Sequence, residues 1–113
     1  MHEMSLAEGV LRIIEAQARE QDFTRVKTVR LELGQLSHAA PEALAFCYDA
    51  VVRGTVAEGS RLEIVRTPGQ AQCLACDRTV ALARRYDPCP HCGGHRLQVI
   101  AGEEMRVKEL EVQ

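Results

Sequence analysis

At 113 residues, with 46% apolar residues and a formal net charge of −2, the chain is sized for one ordinary domain, or a small domain carrying a metal module. The near-neutral charge argues against a nucleic-acid or membrane-surface binder, and no apolar run reaches the roughly 18 residues of a transmembrane helix. The N-terminus does not read as a signal peptide, so the expectation is a soluble, cytoplasmic protein. Aromatics make up 4% and Trp is absent, so the core must be built mainly from Leu, Val, Ile and Ala.

Along the chain, Ser5-Leu6-Ala7-Glu8 has the pattern of a capping box, and Leu6, Val10, Ile13, Ile14 and Ala18 recur at helical spacing. A first helix is predicted from about Leu6 to Glu20. Val29, Leu31 and Leu33 alternate with Arg30 and Glu32, which predicts a half-buried strand over Val26–Leu33. Pro41 suits a first helical position, and Leu44, Cys47, Tyr48, Val51 and Val52 keep helical period up to Gly54, read as the residue just past the helix. Arg61–Arg66 reads as a second strand, stopped by Pro68-Gly69. Strand-like residues return at Thr79–Arg85, Leu97–Ile100 and Met105–Val112. In the last stretch Met105 and Val107 occupy one phase and Leu110 and Val112 the other, so either a bulge intervenes or both faces are covered. The expected architecture is α+β: a small mixed sheet with two helices, into which a four-cysteine zinc-ribbon-like module, residues 71–98, is inserted. The last strand returns to the sheet begun before the module.

The most specific chemistry lies in the cysteines. Cys73/Cys76 and Cys89/Cys92 form two Cys-x-x-Cys pairs with twelve residues, 77–88, between them. Each pair offers two thiolates from one tight turn, and the intervening segment can bring both to one tetrahedral zinc. Gly93-Gly94 comes directly after the second pair and allows the backbone a positive φ there. Four thiolates fill zinc's coordination shell, so the metal is expected to be structural. Binding would supply folding free energy on the order of 10 kcal/mol. Cys47 stands apart and reads as a small core residue.

His2 is the second candidate. The Met1 amine, the His2 amide nitrogen and the His2 imidazole can close fused chelate rings on one metal, and planar nitrogen donors suit Ni(II) or Cu(II). The backbone of Glu3 is a further candidate co-ligand. His38, His91 and His95 read as exposed loop residues, although His91 and His95 lie close enough to the second cysteine pair to tune it. Glu103 and Glu104 read as solvated loop charges. No nucleophile–base pair, phosphate loop or Gly-x-Gly-x-x-Gly motif is present.

Taken together, several segments resemble the HypA/HybF family of hydrogenase maturation proteins. They are Met1-His2-Glu3-Met4-Ser5-Leu6, Leu44-Ala45-Phe46-Cys47-Tyr48, Gly54-Thr55-Val56-Ala57-Glu58-Gly59, the double Cys-x-x-Cys, and Gly102 to Val112. The resemblance implies a nickel metallochaperone and not an enzyme. It would deliver Ni(II) to the large-subunit precursor of [NiFe]-hydrogenase with a maturation GTPase partner, and in some members also serve urease maturation. It matches the nickel ligand to His2 and the zinc ligands to Cys73, Cys76, Cys89 and Cys92. It divides the chain into a nickel-binding domain, residues 1–70 with 99–113, and the zinc module, and it leaves a homodimer open. Some members carry a histidine directly after a cysteine pair, and here Asp77 and Gly93 stand in those places.

Two other classes compete. A zinc ribbon that binds nucleic acid fits the cysteine spacing, but 71–98 carries only Arg78, Arg84, Arg85 and Arg96 against Asp77 and Asp87, and holds one aromatic, Tyr86, so stacking surface is scarce. A hydrolase built on the His2 site lacks an evident general base.

Overall fold

A computed structural model describes residues 3–113. Met1 and His2, and with them the N-terminal chelate expected from the sequence, lie outside the described residues. The described elements are α1 (Glu3–Gln21), β1 (Val26–Gly34), α2 (Pro41–Val51), β2 (Arg61–Thr67), β3 (Gly69–Cys73), β4 (Thr79–Leu82), β5 (Leu97–Ala101) and β6 (Met105–Val112). They form two helices and two three-stranded sheets, ordered β2-β1-β6 and β4-β3-β5. The α+β expectation holds, and the last strand does return to the sheet begun by β1.

The chain gathers into two compact units. The first comprises residues up to Leu31, Ala39–Val65 and Arg106–Gln113; the second comprises Glu32–His38 and Arg66–Met105. The second unit is wider than the cysteine-bearing segment 71–98.

In the first unit, α1 buries Ala7, Val10 and Ile14, one helical face, and packs on α2, which buries Leu44 and Tyr48. Val29 and Leu31 of β1 are fully buried, whereas Arg30 between them points to the opposite face. There Arg30 Nε donates to Glu63 of β2 at 2.9 Å and its Nη1 lies 3.4 Å from Glu109 of β6. In β6, Met105, Val107 and Leu110 are half-buried while Lys108 and Glu109 are both exposed, so the phase changes at that pair.

Three local expectations are corrected. Ser5 lies inside α1, because the helix is already formed at Glu3, so Ser5-x-x-Glu8 does not start it. Pro41 does begin α2, but Ala40 at the N-cap brings no side-chain cap; the cap at the other end is Val52, whose N–H donates to Tyr48 O at 3.0 Å. Gly54 therefore falls two residues past the cap, with φ 76°. Pro68 alone interrupts the ladder after β2, since it has no N–H to give, and Gly69 already begins β3.

The second unit is built on β3. It pairs antiparallel with β4, Ala71 opposite Val80, and with β5, Cys73 opposite Leu97, with a register irregularity between Gln70 and Ala71. Its core is Leu36, Ala71, Cys73, Val80, Leu82 and Cys89, with Leu97 and Val99 against it. Backbone contacts tie Gly34–Leu36 into this unit. The Leu36 N–H donates to Gly102 O at 2.8 Å and the Gly34 N–H to Glu104 O at 2.9 Å. The approach is so close that a Cβ on Gly34 would lie 1.9 Å from Gly102 O. Arg85 Nε donates to Leu36 O at 2.9 Å, and the Arg85 guanidinium also pairs with Glu103, an exposed loop charge as the sequence suggests.

Candidate metal centre

The two cysteine pairs fold into two knuckles with the same hydrogen bonds. In the first, the Cys73 N–H donates to Arg78 O at 2.8 Å and the Asp77 N–H to Cys73 O at 2.9 Å. In the second, the Cys89 N–H donates to Gly94 O at 2.7 Å and the Gly93 N–H to Cys89 O at 2.8 Å. Each turn closes through a residue of positive φ, Asp77 at 62° and Gly93 at 77°. Glycine takes that conformation without cost, and aspartate is among the few other residues that tolerate it. The sequence reading saw the role of Gly93 and missed that of Asp77. The signal was available, since each comes directly after its Cys-x-x-Cys.

The four sulfurs converge within 4.8 Å of one another. Cys73 Sγ lies 3.7 Å from Cys92 Sγ, and Cys76 Sγ lies 3.9 Å from Cys89 Sγ. A tetrahedron of thiolates about zinc, with Zn–S near 2.3 Å, has sulfur–sulfur edges of about 3.8 Å. The cysteines are free, not disulfide-bonded, and the donor set is purely sulfur, which suits zinc. The residues present therefore fit the metal the spacing suggests.

Backbone N–H groups point at the first sulfur of each knuckle. The Cys76 N–H lies 3.5 Å from Cys73 Sγ, and the His91 and Cys92 N–H groups lie 3.4 and 3.5 Å from Cys89 Sγ. These donors stabilise a thiolate. The Cys76 N–H foremost pulls Cys73 down to about 6, and the Cys92 N–H foremost lowers Cys89. Burial pushes Cys76 up to about 12. At Cys92 the Gly94 N–H favours the thiolate, but the neighbouring Cys73 sulfur and partial loss of hydration outweigh it and raise the pKa. The backbone donors thus favour the thiolate at Cys73 and Cys89, and a metal ion bound by the four sulfurs displaces the remaining thiol protons to solvent.

The other candidates from the sequence do not join this cluster. His38, His91 and His95 are exposed, and Cys47 is half-buried on α2. Glu3 has a defined task at the side-chain level. Its Oε2 accepts the Ala40 N–H at 3.0 Å, and that hydrogen bond is the main cause that brings its carboxyl down to about 2. The start of α1 is thereby fastened to the start of α2, a contact across 37 residues that no local pattern announces.

A family model described as "Hydrogenase/urease nickel incorporation, metallochaperone, hypA" matches residues 1–112. The chain belongs to the HypA family. Its relatives include the hydrogenase maturation factor HypA of Rhodopseudomonas palustris strain BisA53, 61% identical over 112 residues and covering 99% of both chains. The Azotobacter vinelandii protein of the same name is 59% identical over 113 residues, the whole of both. Among solved structures, the solution structure of the Ni metallochaperone HypA from Helicobacter pylori superposes with a TM-score of 0.72, at 22% identity over 99% of this chain and 97% of that one; it supports the fold. The HypA family comprises maturation factors, not enzymes. Among the described residues no helix is long and apolar enough to cross a membrane.

Proposed function

We propose that this chain carries Ni(II) on its N-terminus and hands it to the precursor of the [NiFe]-hydrogenase large subunit, while a zinc ion held by Cys73, Cys76, Cys89 and Cys92 serves the fold. The observation that carries this reading is the family match along residues 1–112, which includes the opening Met1-His2-Glu3. His2 would supply the imidazole, with the Met1 amine and the Glu3 backbone beside it. A terminal site suits a carrier, because few packed contacts must break for the metal to leave. The sulfur-only cluster suits the opposite task, and the two ions sort by ligand type and geometry. The division of labour places nickel in residues 1–70 with 99–113 and zinc in 71–98. A maturation GTPase would work beside the carrier in the cytoplasm, urease maturation proteins are a second class of client, and self-association into a homodimer belongs to the same reading.

Calorimetric nickel titration of the zinc-loaded protein tests it, with His2→Gln as the comparison. Glutamine is bulky enough to discourage removal of Met1, so the amine stays in place. The expected result is nickel uptake by the parent chain, its loss in His2→Gln, and one zinc per chain in both by elemental analysis. Equal nickel uptake by the two proteins would rule out the N-terminal site.

A further inference from the structure

The four sulfurs are unevenly sheltered. Cys73 and Cys89 are 0% and 2% exposed, and both take backbone N–H groups within 3.5 Å. Cys76 is half-buried, whereas Cys92 is exposed. The residues just after the outer cysteine of each knuckle also differ. Asp77 and Arg78 come after Cys76 and bring side chains, while Gly93 and Gly94 come after Cys92 and bring none. A Cβ added at Gly94 would lie 3.4 Å from Cys92 Sγ and 4.0 Å from Ala75 Cβ, so glycine leaves open a space beside the sulfur that an alanine would fill. The approach to the cluster from solvent is therefore over Cys92. Thiolate reactivity toward oxidants depends on access as well as charge.

Resting on the zinc reading of this cluster, we propose that Cys92 is the thiolate at which a hydroperoxide opens the centre. Bound zinc keeps the four sulfurs as thiolates at neutral pH. Cys92 Sγ gives an electron pair to one peroxide oxygen. The S–O bond forms, the O–O bond breaks, and the second oxygen leaves as hydroxide. Cys73 Sγ, 3.7 Å away, then attacks the sulfenic sulfur. The S–S bond forms and a second hydroxide leaves. Two electrons have passed from the two sulfurs to the peroxide, and two of the four donors are lost to the metal. The remaining pair, Cys76 and Cys89, cannot close a tetrahedral shell, so the zinc departs.

The test uses the full chain with Cys47→Ala, so that the one cysteine outside the cluster is silent, after zinc content is measured by elemental analysis. Hydrogen peroxide is added below one equivalent. Released zinc is monitored with a chromogenic chelator, and modified cysteines are mapped by peptide mass spectrometry after the remaining thiols are blocked. The expected first product is a Cys73–Cys92 disulfide, with one zinc released for each. Gly94→Ala, which leaves every ligand in place, should load zinc normally and slow the release severalfold. A first disulfide between any other pair, or release at the parent rate in Gly94→Ala, overturns the proposal and leaves the zinc reading intact. Folded protein that takes up no zinc by elemental analysis overturns both.

Discussion

Gly93 carries a conformational demand with no steric one. Its φ is 77°, and a Cβ there would meet nothing within 4 Å. Gly93→Ala should therefore cost only the left-handed backbone penalty, about 1–2 kcal/mol. A lowered thermal midpoint of the zinc-loaded protein, with zinc stoichiometry unchanged, is the expected outcome. Asp77 shows that the first knuckle already bears a milder form of the same cost, φ 62° on a residue with a side chain. Its carboxylate recovers something locally, because Gln72 Nε2 donates to Asp77 Oδ1 at 3.3 Å. Residue identity at the cysteines was plain in the sequence, since two Cys-x-x-Cys pairs at that spacing suit little besides a metal. The fastening of Ala40 by Glu3 was not, because it joins two helix starts through a side chain and a backbone group that no periodicity links.

Among the elements, α2 is held by a buried polar pair. Tyr48 and Ser60 are 1% and 8% exposed, and their hydroxyl oxygens lie 2.6 Å apart. Tyr48→Phe would leave the Ser60 hydroxyl buried without this partner, at about 1–3 kcal/mol. Denaturant unfolding should show the loss, and adding Ser60→Ala should return part of it, because both polar groups are then gone. The long elements were legible because their apolar residues keep a period: α1 at i, i+3 and i+7, β1 by alternation over Val29, Leu31 and Leu33. β3 was not legible. Gly69-Gln70-Ala71-Gln72-Cys73 alternates buried and exposed as a strand should, but its buried residues are Gly, Ala and Cys, too small to register as an apolar face. The capping pattern at Ser5 misled for the converse reason: the right residues stand at the right spacing, but inside a helix that is already under way.

Across the whole molecule, the two compact units differ in what sustains them. The first owns an aliphatic core and a buried tyrosine; the core of the second counts Cys73 and Cys89 among its few members. Stripping zinc with a strong chelator should therefore abolish amide-exchange protection in β3, β4 and β5 while α1 and α2 keep theirs, read by hydrogen-exchange mass spectrometry. Protection retained in β3 would show that the metal is dispensable for the fold. The make-up of the second unit was only half visible in the sequence, since Glu32–His38 joins it through the single apolar side chain of Leu36 and otherwise through carbonyls and N–H groups, which carry no residue code.

The units are also interleaved along the chain, with Arg106–Gln113 returning to the first after the second is complete. β6, the strand in that last piece, lies beside β1, which is made some seventy residues earlier. As the chain leaves the ribosome, every residue of the cysteine-bearing unit has been synthesised before the sheet of the first can close. The strand that completes the sheet of the first unit therefore arrives last, when the cysteine-bearing unit has already been made.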